Sequence, residues 1–173
     1  MTLEEIKAIV YYIQGLQALW KEGYNAKKVG DYTSNFICKD FREYNTTNEL
    51  WEVINELRLM GEGEEWEKTK EEVEALIQEK LGISICEPIS ILSYTTNLFI
   101  KQLTNDFSTD SLVLSFIEQI KELITYQEYT LALENLLKSL LGKCIFIPRD
   151  TLAIIDVIED SYIKRLQASL WGI

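Results

Sequence analysis

Twelve glutamates fall between residues 43 and 80: Glu43, Glu49, Glu52, Glu56, Glu62, Glu64, Glu65, Glu67, Glu71, Glu72, Glu74 and Glu79. Only Arg58, Lys68, Lys70 and Lys80 oppose them there, so this segment holds −8 of the net −11 on the 173-residue chain. Carboxylates at such density offer two kinds of chemistry. They can hold Mg²⁺ without nitrogen ligands, or they can attract a cationic macromolecule. The sequence has no histidine. That removes the usual proton shuttle near neutral pH and a leading metal ligand. Cys38, Cys86 and Cys144 are far apart and form no Cys-x-x-Cys pair. A catalytic thiol usually leans on a histidine base, so three buried or half-buried thiols in a reducing compartment are expected instead.

The metal reading needs a specific spacing. All-helical nucleotide pyrophosphatases place Glu-Glu-x-x-Glu on one helix and Glu-x-x-Asp on the next. Here Glu64-Glu65 is followed at the third position by Lys68 and Glu71-Glu72 by Ala75, and no later Glu-x-x-Asp exists. Di-iron bundles need Glu-x-x-His, which a chain without histidine lacks. No cofactor and no metal are therefore expected. A carboxylate-only Mg²⁺-dependent nucleotide hydrolase is kept as an alternative. Direct nucleic-acid binding needs a positive footprint, because phosphate contacts supply most of the affinity. Residues 1–42 reach only +1, and Lys27-Lys28 is a pair rather than a patch. Gly61-Glu62-Gly63 would repel a phosphate, and no phosphate-cradling loop of the Walker type occurs.

The elements that carry these residues read as helices. Two prolines and eight glycines in 173 residues leave long stretches uninterrupted. The hydrophobic fraction of 47% supports a real core. The prediction is an all-α, single-domain bundle of about seven to eight helices over 1–173. A subdivision is expected near 61–65, with N-terminal helices over 1–60 and the main bundle over 66–173. Helix 1 spans Leu3 to Glu22 behind a Thr2/Glu5 capping box, and Gly23 ends it. A second helix is expected from Asp31 to Tyr44. Thr46 or Thr47 then caps a third, whose buried face includes Trp51 and Met60. Gly61–Glu65 is the clearest break. A fourth helix follows to Leu81, with Trp66 on its apolar stripe, a Glu64–Lys68 pair at i,i+4 and Gly82 as its stop. Pro88 opens a fifth, and a sixth covers about 110–124. Thr125 and Glu128 box the seventh, and Asp150 caps an eighth reaching Leu170. Trp20, Trp51 and Trp66 are expected in the core. Glu4 and Glu5 stand where a secretory signal would be basic, and the apolar runs fall far short of the ~20 residues a membrane span needs. A cytoplasmic protein without membrane contact is expected.

Glu128, Tyr129, Ala132, Leu133, Glu134, Leu136 and Leu137 follow Glu-Tyr-x-x-Ala-Leu-Glu-x-Leu-Leu. Ile145, Ile147 and an acidic amphipathic helix from Asp150 come next in the same order. Over residues 111–162 this pattern resembles small helical bacterial immunity proteins, the MafI-type and related antitoxins of contact-dependent inhibition. The resemblance implies a non-enzymatic cytoplasmic protein that binds a cognate toxin and blocks its active site or substrate path. Toxins of such systems are often nucleases, hence basic, which agrees with the acidic segment. The partner-binding residues expected are Glu62, Glu64, Glu65, Glu67, Glu71, Glu72 and Glu74. Tyr12, Tyr24 and Tyr44 are candidate apolar anchors, and the protein is expected as a monomer when free or as a 1:1 complex. Two further alternatives share this charge: a nucleic-acid-mimicking phage or plasmid inhibitor, and an adaptor domain whose charge serves solubility.

Overall fold

A computed structural model describes residues 1–39 and 46–173. These residues form nine α-helices and three short 3₁₀ turns, with no strand among them. The all-α class stands, and the helix number is slightly above the seven to eight expected. The described residues group into two compact units, Leu3–Ile89 and Ser90–Ile173. The Gly61–Glu65 break lies inside the first unit.

In the first unit, α1 (Leu3–Glu22) buries Ile6, Ile9, Val10, Ile13 and Leu16, the i, i+3, i+4, i+7 spacing of one helix face. Gly23 closes it at φ +100°, a conformation that favours glycine, and its N–H bonds to the Trp20 carbonyl. Next comes α2 (Ala26–Lys39), which starts five residues before the expected Asp31. The reason is Asn25, whose side-chain oxygen accepts from the Lys28 N–H at 3.1 Å and caps the turn. The expected end of this helix at Tyr44 lies outside the described residues.

Tyr32 of α2 lies flat against Gly15 of α1. A Cβ on Gly15 would stand 2.0 Å from the Tyr32 hydroxyl oxygen, and that hydroxyl donates to the Tyr12 carbonyl at 3.0 Å. Thr47 caps α3 (Asn48–Leu57) by accepting from Leu50 N–H at 3.2 Å. The chain then tightens into a 3₁₀ turn, Arg58–Gly61, which buries Met60. This turn packs on α2 at a glycine pair, since a Cβ on Gly30 would sit 2.0 Å from the Gly61 nitrogen.

A second 3₁₀ turn, Glu64–Trp66, precedes α4 (Lys70–Leu81). Helix 4 does not begin directly after the glycines as expected. Thr69 and Glu72 form a complete capping box that fixes the start at Lys70. Trp66 is therefore off the α4 stripe and 46% exposed, and Trp51 is 40% exposed. Trp51 lies off the α3 face that buries Leu50, Val53, Ile54 and Leu57. The first unit already fills its interior with aliphatic side chains from α1, α3 and α4 and with Tyr12 and Phe36. Gly82 ends α4 at φ +65°, as predicted.

In the second unit, α7 (Tyr129–Gly142) packs against α5 (Ile91–Asp106), α6 (Ser111–Thr125) and α9 (Ser161–Trp171). Its Leu133, Leu136, Leu137 and Leu140 are buried with Phe99, Leu103, Phe116 and Ile163. The apolar positions that carry the family resemblance are thus the buried face of α7.

Three expected starts are corrected. Ser90 and Ser93 box the start of α5, so Pro88 lies in the connector before it. Thr125 ends α6 and donates to the Lys121 carbonyl instead of capping α7. The long helix from Asp150 is two elements: a short α8 (Arg149–Ala153) running into a 3₁₀ turn, Ile154–Val157, and then α9. Asp160 divides them, because its carboxylate accepts from the N–H groups of Tyr162 and Ile163 at 2.8 and 2.9 Å. The cysteine expectation also fails, because Cys86 and Cys144 are exposed.

Gly30→Ala should lower unfolding stability by about 3 kcal/mol, the scale of forced overpacking. Gly142→Ala, where a Cβ meets nothing within 4 Å, should gain about 0.5 kcal/mol. Urea unfolding followed by tryptophan fluorescence reads both, and equal effects would contradict the glycine contact. On α5, the Thr96 hydroxyl is buried with no hydrogen-bond partner among the described residues. Removing that unpaired group by Thr96→Val should raise stability by about 1 kcal/mol in the same measurement.

Candidate functional site

The stretch with the densest glutamates begins after Gly61, at the end of the 3₁₀ turn packed on α2, and runs to Thr69, the cap of α4. Gly63 takes φ +154°, open to glycine and costly for other residues. The following turn closes on it, with Trp66 N–H bonding to Gly63 O at 3.1 Å and Glu67 N–H to Glu64 O at 3.2 Å. Glu67 is extended, and Thr69 opens α4. Glu62, Glu64, Glu65, Glu67, Glu71 and Glu72 are all exposed.

The expected Glu64–Lys68 pair does not form, because residues 64–68 are not one α-helix. Lys68 instead reaches Glu56 of α3 at 3.4 Å, and Lys80 reaches Glu52 at 3.0 Å. The hydrogen bond that the Lys80 ammonium donates to Glu52 holds it above its usual titration range. These two lysines, one just before α4 and one on it, reach α3 and neutralise Glu56 and Glu52, not the glutamates from 62 to 72. Among the described residues, no ion pair engages Glu62, Glu64, Glu65, Glu67, Glu71 or Glu72.

Two of the seven glutamates have internal work. One carboxylate oxygen of Glu72 accepts the Thr69 N–H at 2.7 Å as the return bond of the capping box. Glu74 is half-buried, accepts from the Trp20 indole N–H at 3.0 Å and lies 3.7 Å from the Cys86 sulfur. Lys70 stands 4.0 Å from the same carboxylate. The structure therefore brings Glu62, Glu64, Glu65, Glu67 and Glu71 together as unpaired surface charge, with Glu72 partly engaged and Glu74 turned to its own fold.

The aromatic anchors sort differently from expectation. Tyr12 is wholly buried, shares a 2.8 Å hydrogen bond with Thr33 and packs on Phe36, so it belongs to the core. Tyr44 lies outside the described residues. Tyr24 is half-buried at the edge of the acidic segment. Its ring meets Trp20 edge-on at 5.3 Å, and its hydroxyl donates to the Lys68 carbonyl. Burial first, then the charges of Glu67, Glu72 and Glu71, pushes the Tyr24 phenol up to about 12. Three of the glutamates thus act on one side chain.

Trp66, which sequence reasoning assigns to the core, is the exposed aromatic residue within the glutamate run. The Thr69-x-x-Glu72 spacing was the signal that could have placed it outside α4. Beside Tyr24 runs a groove of about 600 Å³, lined by Tyr24, Asn25, Lys27, Glu67 and Lys68 among others. Among the described residues no three carboxylates or thiols converge as a metal-ligand set, and no helix is long and apolar enough to cross a membrane. Comparison with protein-family models, curated proteins and solved structures returns no match.

A tyrosine held neutral in the fold ionises first in the unfolded chain. Tyr24 therefore contributes stability in full below pH 10, and that contribution is lost as the pH rises toward 12. Tyrosine ring-carbon NMR should show Tyr24 titrating near 12. Combined Glu67→Gln, Glu71→Gln and Glu72→Gln should bring it down part of the way, leaving the share due to burial. A midpoint at the free-tyrosine value of about 10 would contradict the convergence of charge on this ring.

Proposed function

We propose that this chain is a non-enzymatic immunity protein or antitoxin acting in the cytoplasm. It binds a basic toxin domain, of which a nuclease is the favoured kind, and occludes that domain's active site or substrate path. The observation that carries this reading is the run of exposed glutamates from Glu62 to Glu71, none of which enters an ion pair among the described residues, interrupted by the exposed Trp66. Unpaired carboxylates speed encounter with a cationic surface and set its orientation. Charge alone makes a weak interface, and a tryptophan within the patch supplies the apolar centre that a specific one requires. The resemblance to immunity proteins over residues 111–162 supports the same reading.

Co-expression with the adjacent open reading frame, or capture from the native host, should recover the partner, which should be basic. Reversal of Glu64, Glu65, Glu67 and Glu71 to lysine should then weaken binding by more than ~2 kcal/mol, the scale of a hot spot. Glu72 and Glu74 are left intact because one caps α4 and the other holds Trp20. The unfolding midpoint should fall only slightly, because Glu71 alone among the four lies in the first turn of α4. Full affinity in a folded variant would exclude this surface as the interface.

A further inference from the structure

The groove beside Tyr24 has a particular charge distribution. Two lysines and one carboxylate line it. Lys27 is engaged with Asp31 at 2.8 Å and Lys68 with Glu56 at 3.4 Å, so both cations have counter-ions. Glu67 has no ion-pair partner among the described residues, and Glu71 and Glu72 lie near enough to act on the Tyr24 phenol. The aromatic wall is held in place. The Tyr24 ring rests edge-on against Trp20, Trp20 is bonded to Glu74, and the Tyr24 hydroxyl is committed to the Lys68 carbonyl. A tyrosine held in place thus lines a groove in which Glu67 is the charged side chain that enters no ion pair among the described residues.

Resting on the proposed function, we infer that this groove receives an arginine side chain of the basic protein partner, with the guanidinium against Tyr24 and bonded to Glu67. Arginine fits better than lysine for physical reasons. Its plane lies against an aromatic face, its paired N–H groups match a carboxylate, and it sheds water more readily than an ammonium. Both cations stand over rings elsewhere in the chain, Arg165 and Lys138 over Tyr162 at 5.3 and 4.9 Å and Arg149 over Trp171 at 5.9 Å, so the preference for arginine rests on its fit to the Glu67 carboxylate beside the ring. The groove thereby makes the acidic face selective among cations instead of merely attractive to them.

Calorimetric titration of the full chain with an arginine hexapeptide and a lysine hexapeptide tests this directly. The arginine peptide should bind about tenfold more tightly, the scale of a partly desolvated cation–π contact. Glu67→Gln should erase that preference, whereas Glu62→Gln, at an exposed glutamate outside the groove, should weaken both peptides equally and leave it. Equal affinity for the two peptides, or a Glu67→Gln effect no different from that of Glu62→Gln, overturns the arginine groove and leaves the anionic docking surface standing. Failure of both peptides to bind at low salt overturns the docking surface itself.

Discussion

The first unit depends on a contact between two stretches of backbone. Gly30 of α2 and Gly61 at the end of the 3₁₀ turn meet where a Cβ on Gly30 would lie 2.0 Å from a backbone nitrogen. A Cβ on Gly61 would meet the Asp31 carboxylate at 2.9 Å. Glycine is thus needed at position 30, where the clash is with backbone and no side-chain rotation relieves it, whereas at Gly61 the Asp31 carboxylate can turn aside. The contact pins the exit of the acidic segment to α2. The other end is pinned by Thr69, which caps α4, and by Lys68, which takes the Tyr24 hydroxyl on its carbonyl and Glu56 on its ammonium. Between these anchors the chain carries Glu62, Glu64, Glu65, Trp66 and Glu67. A loop anchored at both ends loses less freedom when a partner orders it, so more of the contact energy survives as affinity.

The arrangement has a cost in the isolated fold, because like charges repel. Part of that cost is offset locally. Glu71 and Glu72 lie in the first turn of α4, where the helix dipole favours anions. Glu62 and Glu67 gain nothing of the kind, since neither lies in the first turn of an α-helix. Two lysines of the same unit, Lys68 and Lys80, pair with Glu56 and Glu52 of α3, while Lys70 pairs with Glu74.

How far the sequence could be read follows from how local each signal is. The bounds of α1, a cap at Thr46 or Thr47 and the Gly82 stop were legible because each rests on residues within one turn; the structure selects Thr47. The start of α4 was not, because Trp66 and Val73 continue an apolar spacing across Glu67–Thr69 and the Thr69–Glu72 box overrides it only when both its bonds form. The break at Asp160 was hidden in the same way, inside a run rich in isoleucine. For the site, the crowding of glutamates could be counted along the chain. The lysines they fail to meet could not, since Lys68 pairs across to α3 and not one turn back. Tyr12 and Tyr24 looked alike as sequence. One is enclosed by Tyr32, Phe36 and Thr33, and the other stands at the surface beside Glu67.

The likeness to immunity proteins and the acidic surface belong to different units, and they differ in what they can say. Ala132, Leu133, Leu136 and Leu137 are buried on α7, and Glu134 pairs with Lys138 on the same helix at 3.7 Å. Residues of this kind recur wherever a helix packs on three neighbours, so they report an architecture more than a partner. The glutamates of the first unit report the reverse. Nothing in the packing requires Glu62, Glu64 or Glu65, since their side chains meet no buried surface and enter no ion pair among the described residues. The functional argument therefore rests on the first unit, in charge that the fold holds in place without using.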